Sequence, residues 1–110
     1  MPELAQRHAA PDGTAPRLTE AEGDELAKQV PDWSIEDGKL TRDVQVKNFR
    51  AALALVNALG EIAEEQNHHP DLLIHGWNHL RIEFSTHTAH GLSENDFILA
   101  AKFDRLLPAP

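Results

Sequence analysis

Residues 33–66 read WSIEDGKLTRDVQVKNFRAALALVNALGEIAEEQ, and the spacing of the apolar positions changes once inside this stretch. Up to Val46 it alternates: Trp33-Ser34-Ile35 and Leu40-Thr41-Arg42-Asp43-Val44-Gln45-Val46 flank Glu36-Asp37-Gly38-Lys39. Asp-Gly between two alternating runs predicts a tight hairpin, because both central residues of such a turn need positive φ and these two tolerate it. Leu40, Val44 and Val46 are expected on one face. From Phe49 the spacing becomes helical. Phe49, Ala52, Leu53, Val56, Leu59, Ile62 and Ala63 recur at intervals of three and four through Gln66, Asn48 is placed as the cap, and Leu55 and Ala58 add a second apolar side.

Upstream, Thr19 followed three residues later by Glu22 is a capping box, which predicts a helix from about Glu20 to Val30 that buries Leu26 and Val30 before Pro31 stops it. Downstream, His69-Pro70 should be extended, since a residue before proline avoids the α region. Asp71 to Ile74 and Asn78 to His87 then read as strands. In the second, Leu80, Ile82 and Phe84 point one way, while His79, Arg81, Glu83, Ser85 and His87 point the other. Ser93 caps a last helix whose Phe97, Ile98, Leu99, Ala100, Phe103, Leu106 and Leu107 leave it apolar around most of its circumference, so it is expected to meet both its own sheet and a second subunit. This order predicts an α+β, two-layer fold: a four-stranded antiparallel sheet with three helices on one face. Residues 1–17, Ala/Pro-rich and without periodicity, are expected as a flexible tail, residues 18–107 as the working domain, and 108–110 as a short closing tail.

The balance of 18 acidic against 10 basic side chains gives a formal charge of −8, which argues against a sequence-independent grip on nucleic acid. Leu, Ile, Val and Phe fill 27 of the 110 positions, above the roughly 20% needed for a folded core. At this length a lone domain hides only about two-thirds of its unfolded surface, so self-association is physically sensible. With no cysteine, disulfides, thiolate zinc sites and cysteine nucleophiles are excluded. No apolar run approaches the roughly 20 residues of a membrane span, and the start lacks an apolar export region, so a soluble cytoplasmic protein without membrane contact is expected.

Six of the seven histidines lie between His68 and His90. Imidazole titrates near neutrality, so proton transfer is the first functional expectation. His68 and His69 follow the long helix one turn after Glu64, and Pro70 fixes the exit of the chain. His87 ends the predicted strand and Asp96 lies in the first turn of the last helix. Both are expected at a cleft bordered by that corner.

Glu64, three intervening residues, His68-His69-Pro70, then Trp77-Asn78, Ser85-Thr86-His87 and Gly91-Leu92-Ser93-Glu94-Asn95-Asp96 together resemble the signature of the pterin-4a-carbinolamine dehydratases. The resemblance continues through Pro31-Asp32-Trp33, Glu36-Asp37-Gly38-Lys39-Leu40, Phe49 and the Ala/Leu-rich helix, covering roughly residues 18–107. It implies a subunit that forms a homodimer or homotetramer and removes water from a 4a-hydroxytetrahydropterin to give quinonoid dihydropterin in tetrahydrobiopterin recycling. It implies no metal and no redox cofactor, and leaves open an aromatic amino-acid hydroxylase as partner. By the same analogy His68 and His87 carry the acid/base transfer and His69 binds and orients the pterin. Glu64 and Asp96 orient or tune the imidazoles, Trp77 shapes the pocket, and Pro70, Ser85 and Thr86 complete the substrate-binding set. His90, His75 and Gly76 depart from the family pattern.

Taken singly, each residue has a plainer role. His68-His69 suits the negative end of a helix dipole, Asp96 the first turn of a helix, Glu64 a solvated acidic face with Glu61 and Glu65, and Trp77 a core or subunit contact. The constellation outweighs these. A zinc reading, with His79 and His87 sharing a strand face near His68, His69 and His90, is weaker because no His/Glu spacing matches a helical zinc motif. A non-catalytic rival is an assembly factor, or a dimerisation cofactor for a transcription factor, using the apolar last helix as its partner surface. Such a protein has no reason to keep His68, His69 and His87, and all three are present.

Overall fold

The computed structural model describes residues 3–11 and 13–110. Four strands, β1 (Ser34–Glu36), β2 (Lys39–Gln45), β3 (Asp71–His75) and β4 (His79–Phe84), form one antiparallel sheet in the order β1-β2-β4-β3. Asp37 and Gly38 both take positive φ (52° and 74°), as the tight β1–β2 turn requires. Three helices, α1 (Glu20–Ala27), α2 (Phe49–Gln66) and α3 (Glu94–Asp104), cover one face of the sheet. Leu40, Val44, Leu80, Ile82 and Phe84 from the sheet share a single core with Leu59 of α2 and Phe97, Leu99 and Phe103 of α3. The expected two-layer α+β architecture is the observed one. Among the described residues no helix is long and apolar enough to cross a membrane.

Local chemistry explains most of the boundaries. The Thr19–Glu22 capping box forms in both directions, and Asn48 Oδ1 accepts from Ala51 N–H at 2.8 Å. Helix α1 stops at Ala27 rather than Val30. Val30, which precedes a proline, lies outside the helix, yet its side chain is still fully buried. Helix α2 runs to Gln66 as expected and ends on Asn67, whose left-handed conformation (φ 51°) lets its N–H reach back to the last-turn carbonyls.

Three expectations are corrected. Strand β4 ends at Phe84, not at His87, because Thr86 and Gly91 pair across a short loop and His87–Ala89 coil into a 3₁₀ turn. Residues 4–10 do not behave as a flexible tail. Leu4 and Ala9 are buried, Ala9 N–H donates to Gln66 Oε1 at 2.8 Å, Ala10 exchanges two hydrogen bonds with the Asn95 side chain, and Lys102 Nζ donates to Ala5 O. Met1, Pro2 and Asp12 of that expected tail lie outside the described residues. This segment also packs on α3, and Phe97 through Ala100 are buried within the chain itself. Conversely Phe49 and Leu53, expected in the core stripe of α2, are exposed.

A buried cation joins the layers. Arg42 lies on the helix-facing side of β2 between Leu40 and Val44, and its guanidinium donates to Asp104 Oδ1 and to the Pro108 carbonyl, both at 2.7 Å. Trp33 Nε1 donates to the same Asp104 oxygen. One carboxylate at the end of α3 thereby ties α3 to β2 and to the segment before β1.

Candidate active site

The β3–β4 hairpin decides which residues meet. Because β3 runs back along β4 in the register Asp71↔Glu83, the chain entering β3 stands beside the chain leaving β4. His68, His69 and Pro70 therefore arrive next to Ser85, Thr86 and His87, although they are far apart in sequence. Asn67, His68, His69, Ser85, Thr86, His87 and Thr88 line an open cleft of about 200 Å³. Asn67 and Thr88 were not singled out from sequence. Asn67 was legible as a helix-terminating residue, while Thr88 enters only because the chain coils after Thr86.

Asp96 organises this cleft from beneath. It is fully buried, and its carboxylate takes a hydrogen bond from His68 Nε2 at 2.6 Å, from the Thr86 hydroxyl at 2.8 Å and from Ser93 N–H at 2.9 Å. With the Thr86 proton given to Asp96, the Ser93 hydroxyl is the donor in its 2.6 Å contact with Thr86 Oγ1. A desolvated carboxylate is tolerable only when its lone pairs are used in this way. Since a carboxylate only accepts, His68 presents Nε2–H to it, which leaves Nδ1 as the proton-accepting atom of that ring in its neutral form. The His68 ring also lies nearly parallel to Phe84, at 8° and 6.1 Å between centroids, so its plane is held as well as its tautomer.

The other two imidazoles are more accessible. His69 is exposed and pairs through Nε2 with the Glu64 carboxylate one helical turn before the corner. His87 is exposed at the start of the 3₁₀ turn, with the His90 ring 6.4 Å away, and His90 takes the left-handed conformation (φ 56°) that returns the chain to Gly91. Of the residues expected at the site, His68, His69, Ser85, Thr86 and His87 line the cleft, Glu64 and Asp96 hold two of its imidazoles, and Pro70 follows His69 without lining it. Trp77 is not brought to it. It sits at the tip of the β3–β4 hairpin, 62% exposed, at the end of the sheet away from the cleft. The expected sharing of a strand face by His79 and His87 also fails, because β4 ends before His87.

Three imidazoles thus line a solvent-open cleft, one of them held by a buried carboxylate, on an antiparallel sheet backed by three helices. The family described as pterin 4 alpha carbinolamine dehydratase matches residues 16–106, and the chain belongs to this family. It is 47% identical over 108 residues to a Rubrobacter xylanophilus protein provisionally named pterin-4-alpha-carbinolamine dehydratase, covering 96% of this chain and all of that one. A Nitrosomonas eutropha protein with the same provisional name is 41% identical over 107 residues, covering 96% and 94% of the two chains. A crystal structure from Brucella melitensis, described as a transcriptional coactivator/pterin dehydratase, superposes with a TM-score of 0.78 at 28% identity, covering 84% of this chain and 99% of that one.

Proposed function

We propose that this chain is a 4a-hydroxytetrahydropterin dehydratase acting in tetrahydropterin recycling, with His68 and His87 as the acid/base pair and His69 as the group that binds and orients the pterin. The observation that carries this reading is the meeting of all three imidazoles on one cleft while a buried Asp96 holds His68. The reaction asks for a proton donor and a proton acceptor. The 4a-hydroxyl leaves as water once its oxygen is protonated, the N5 proton is lost to a base, and the N5–H electron pair becomes the new C4a=N5 double bond of the quinonoid dihydropterin. His87, unencumbered at the rim, suits the donor to the departing oxygen. His68, with Nδ1 as its free acceptor, suits the base. The His69–Glu64 pair places a polar, carboxylate-backed imidazole at the wall for the pterin to rest against.

A homodimer or homotetramer fits this reading, because Phe49, Leu53, Leu73 and Trp77 present apolar area that the chain itself leaves uncovered. The same exposed residues favour a second reading, a partner-binding role without turnover, and the Brucella relative is described as a coactivator as well as a dehydratase. One measurement separates the two: the dehydration rate of enzymatically generated 4a-hydroxytetrahydropterin with and without the protein, at matched pH and buffer. Acceleration that disappears in His68→Ala supports the dehydratase; a folded protein that leaves the spontaneous rate unchanged supports the partner-binding reading.

A further inference from the structure

The open face of the sheet, opposite the helices, carries a cluster that the dehydratase reading leaves unused. Asp43 on β2, His79 on β4 and His75 on β3 come from three neighbouring strands. The register places His75 directly across from His79, and Asp43 two residues along its strand from Gln45, the β2 partner of His79. The even spacing puts all three side chains on the same side of the pleat. Nε2 of His75 lies 2.5 Å from Asp43 Oδ2, Nδ1 of His79 lies 3.5 Å from Oδ1, and the three potential donor atoms fall within 4.8 Å of one another. The two rings face each other at 5.2 Å and 27°. About a third or more of each side chain is open to solvent, at 43% for His75, 37% for His79 and 33% for Asp43.

The geometry points to a binding site for a divalent transition metal of the zinc class, held by Asp43, His75 and His79. Bonds of about 2.0–2.2 Å at tetrahedral angles separate ligand atoms by about 3.4 Å, and the observed spacings bracket that value, so side-chain rotation alone can close the site. Two imidazoles and one carboxylate match zinc, copper or nickel; magnesium and calcium favour all-oxygen sets. Neutral imidazoles donate lone pairs without charge repulsion, and the single carboxylate offsets part of the ion's charge. Two further carboxylates on the same face, Glu36 and Glu83, are already paired with basic side chains, which leaves Asp43 as the carboxylate facing the two imidazoles. Arg81, the cross-strand partner of Asp43, lies 2.8 Å from Glu83 and 3.6 Å from Glu36, and Lys39 lies 3.6 Å from Glu83. Because the ligands come from one face, the outward positions of the ion stay open to water. An ion here would clip β2, β4 and β3 together at the hairpin end of the sheet. The cluster is separate from the cleft: His79 and Phe84 stand at opposite ends of β4, about 17 Å apart at the rise of an extended strand. The inference therefore does not depend on the proposed enzymatic activity.

The test is calorimetric titration of the chelator-stripped full chain with zinc chloride, run beside His75→Asn, His79→Asn, Asp43→Asn and a His68→Asn/His87→Asn double variant. Circular dichroism confirms that each is folded. The expected result is one equivalent of zinc bound by the parent chain and by the double variant. Each single variant should bind at least about tenfold more weakly, a scale on which even the outer partners of metal ligands act. Zinc should also raise the Tm of the parent and not that of His75→Asn or His79→Asn, as binding to the folded state alone requires. No binding by the parent, binding unchanged in the three single variants, or binding lost in the double variant, which would place the ion at the catalytic imidazoles, each overturns the inference.

Discussion

The two ends of the sheet use the same chemical unit in opposite ways. At one end His68 rests on Asp96, and at the other His75 rests on Asp43. Asp96 is fully buried and already holds a hydroxyl and a backbone N–H, so its remaining capacity is spent on fixing one imidazole. Asp43 is a third exposed, is anchored by no backbone group among the described residues, and meets one imidazole at 2.5 Å and a second at 3.5 Å. A buried, saturated carboxylate can orient a ring and do little else. An exposed, unsaturated one keeps lone pairs for a ligand. Burial thus separates a positioning group from a binding group more sharply than residue type does.

The comparison can be broken most directly through turnover. His68→Ala and His87→Ala are each expected to lower the dehydration rate by about 10²-fold or more, the usual scale for loss of an acid or base, while the far-UV spectrum is retained. Rates within a few-fold of the parent in both variants would remove the cleft from the mechanism.

Stability distinguishes the two carboxylates next. Asp96→Ala strands a buried hydroxyl, a backbone N–H and the His68 ring, and should cost about 2–4 kcal/mol in urea unfolding. Asp43→Ala removes a partly exposed pair and should cost less than about 1 kcal/mol. Equal costs would show that burial does not separate the pairs.

The N-terminal segment offers a smaller effect. Asn95→Ala removes both side-chain hydrogen bonds that hold Ala10 against α3 and should lower stability by about 1–2 kcal/mol, read as earlier proteolysis of residues 1–11 as well as a lower urea midpoint. Proteolysis unchanged from the parent would mean that the buried Leu4 and Ala9, with the Gln66 and Lys102 hydrogen bonds, hold the segment without Asn95.

The smallest effect lies on the open face. The hydrogen bond from Arg81 holds the Glu83 carboxyl below its ordinary value of 4.5, with Lys39 nearby acting in the same direction. A carboxyl whose pKa is lower in the folded than in the unfolded state stabilises above the unfolded value and loses that contribution as pH falls through the folded one. Glu83→Gln should therefore lower the Tm slightly at neutral pH, by less than about 4 °C, with the gap closing as the pH drops below 4.5. A gap that widens toward acid would reverse the sign assigned to this group.

Much of this was readable in advance where the signal is local. The Asp37-Gly38 turn, the caps at Thr19, Asn48 and Ser93, and the inward set Leu80, Ile82 and Phe84 each follow from neighbours within a few residues, whose conformational preferences act before any tertiary contact. The site residues were legible as a set because their types and spacing resemble a family signature. Their places were not. Extending β4 to His87 followed the alternation of side chains, yet the Thr86–Gly91 pairing places His87 in a 3₁₀ turn. Reading residues 1–17 as a tail rested on composition, whereas Ala9 and Ala10 are held by Gln66 and Asn95, 57 and 85 residues away along the chain.

By itself the sequence determined the order and kind of the elements, the strand faces, the helix starts and the concentration of imidazoles between His68 and His90, because periodicity, capping and turn preference are short-range. Only the tertiary structure decided which imidazole is held by which carboxylate. That Asp96 lies beneath His68, that Trp77 stands apart from the cleft, and that Asp43 joins His75 and His79 across three strands all depend on strand register and helix docking. Those are set by the packing of the whole core, to which no short stretch of the chain has access.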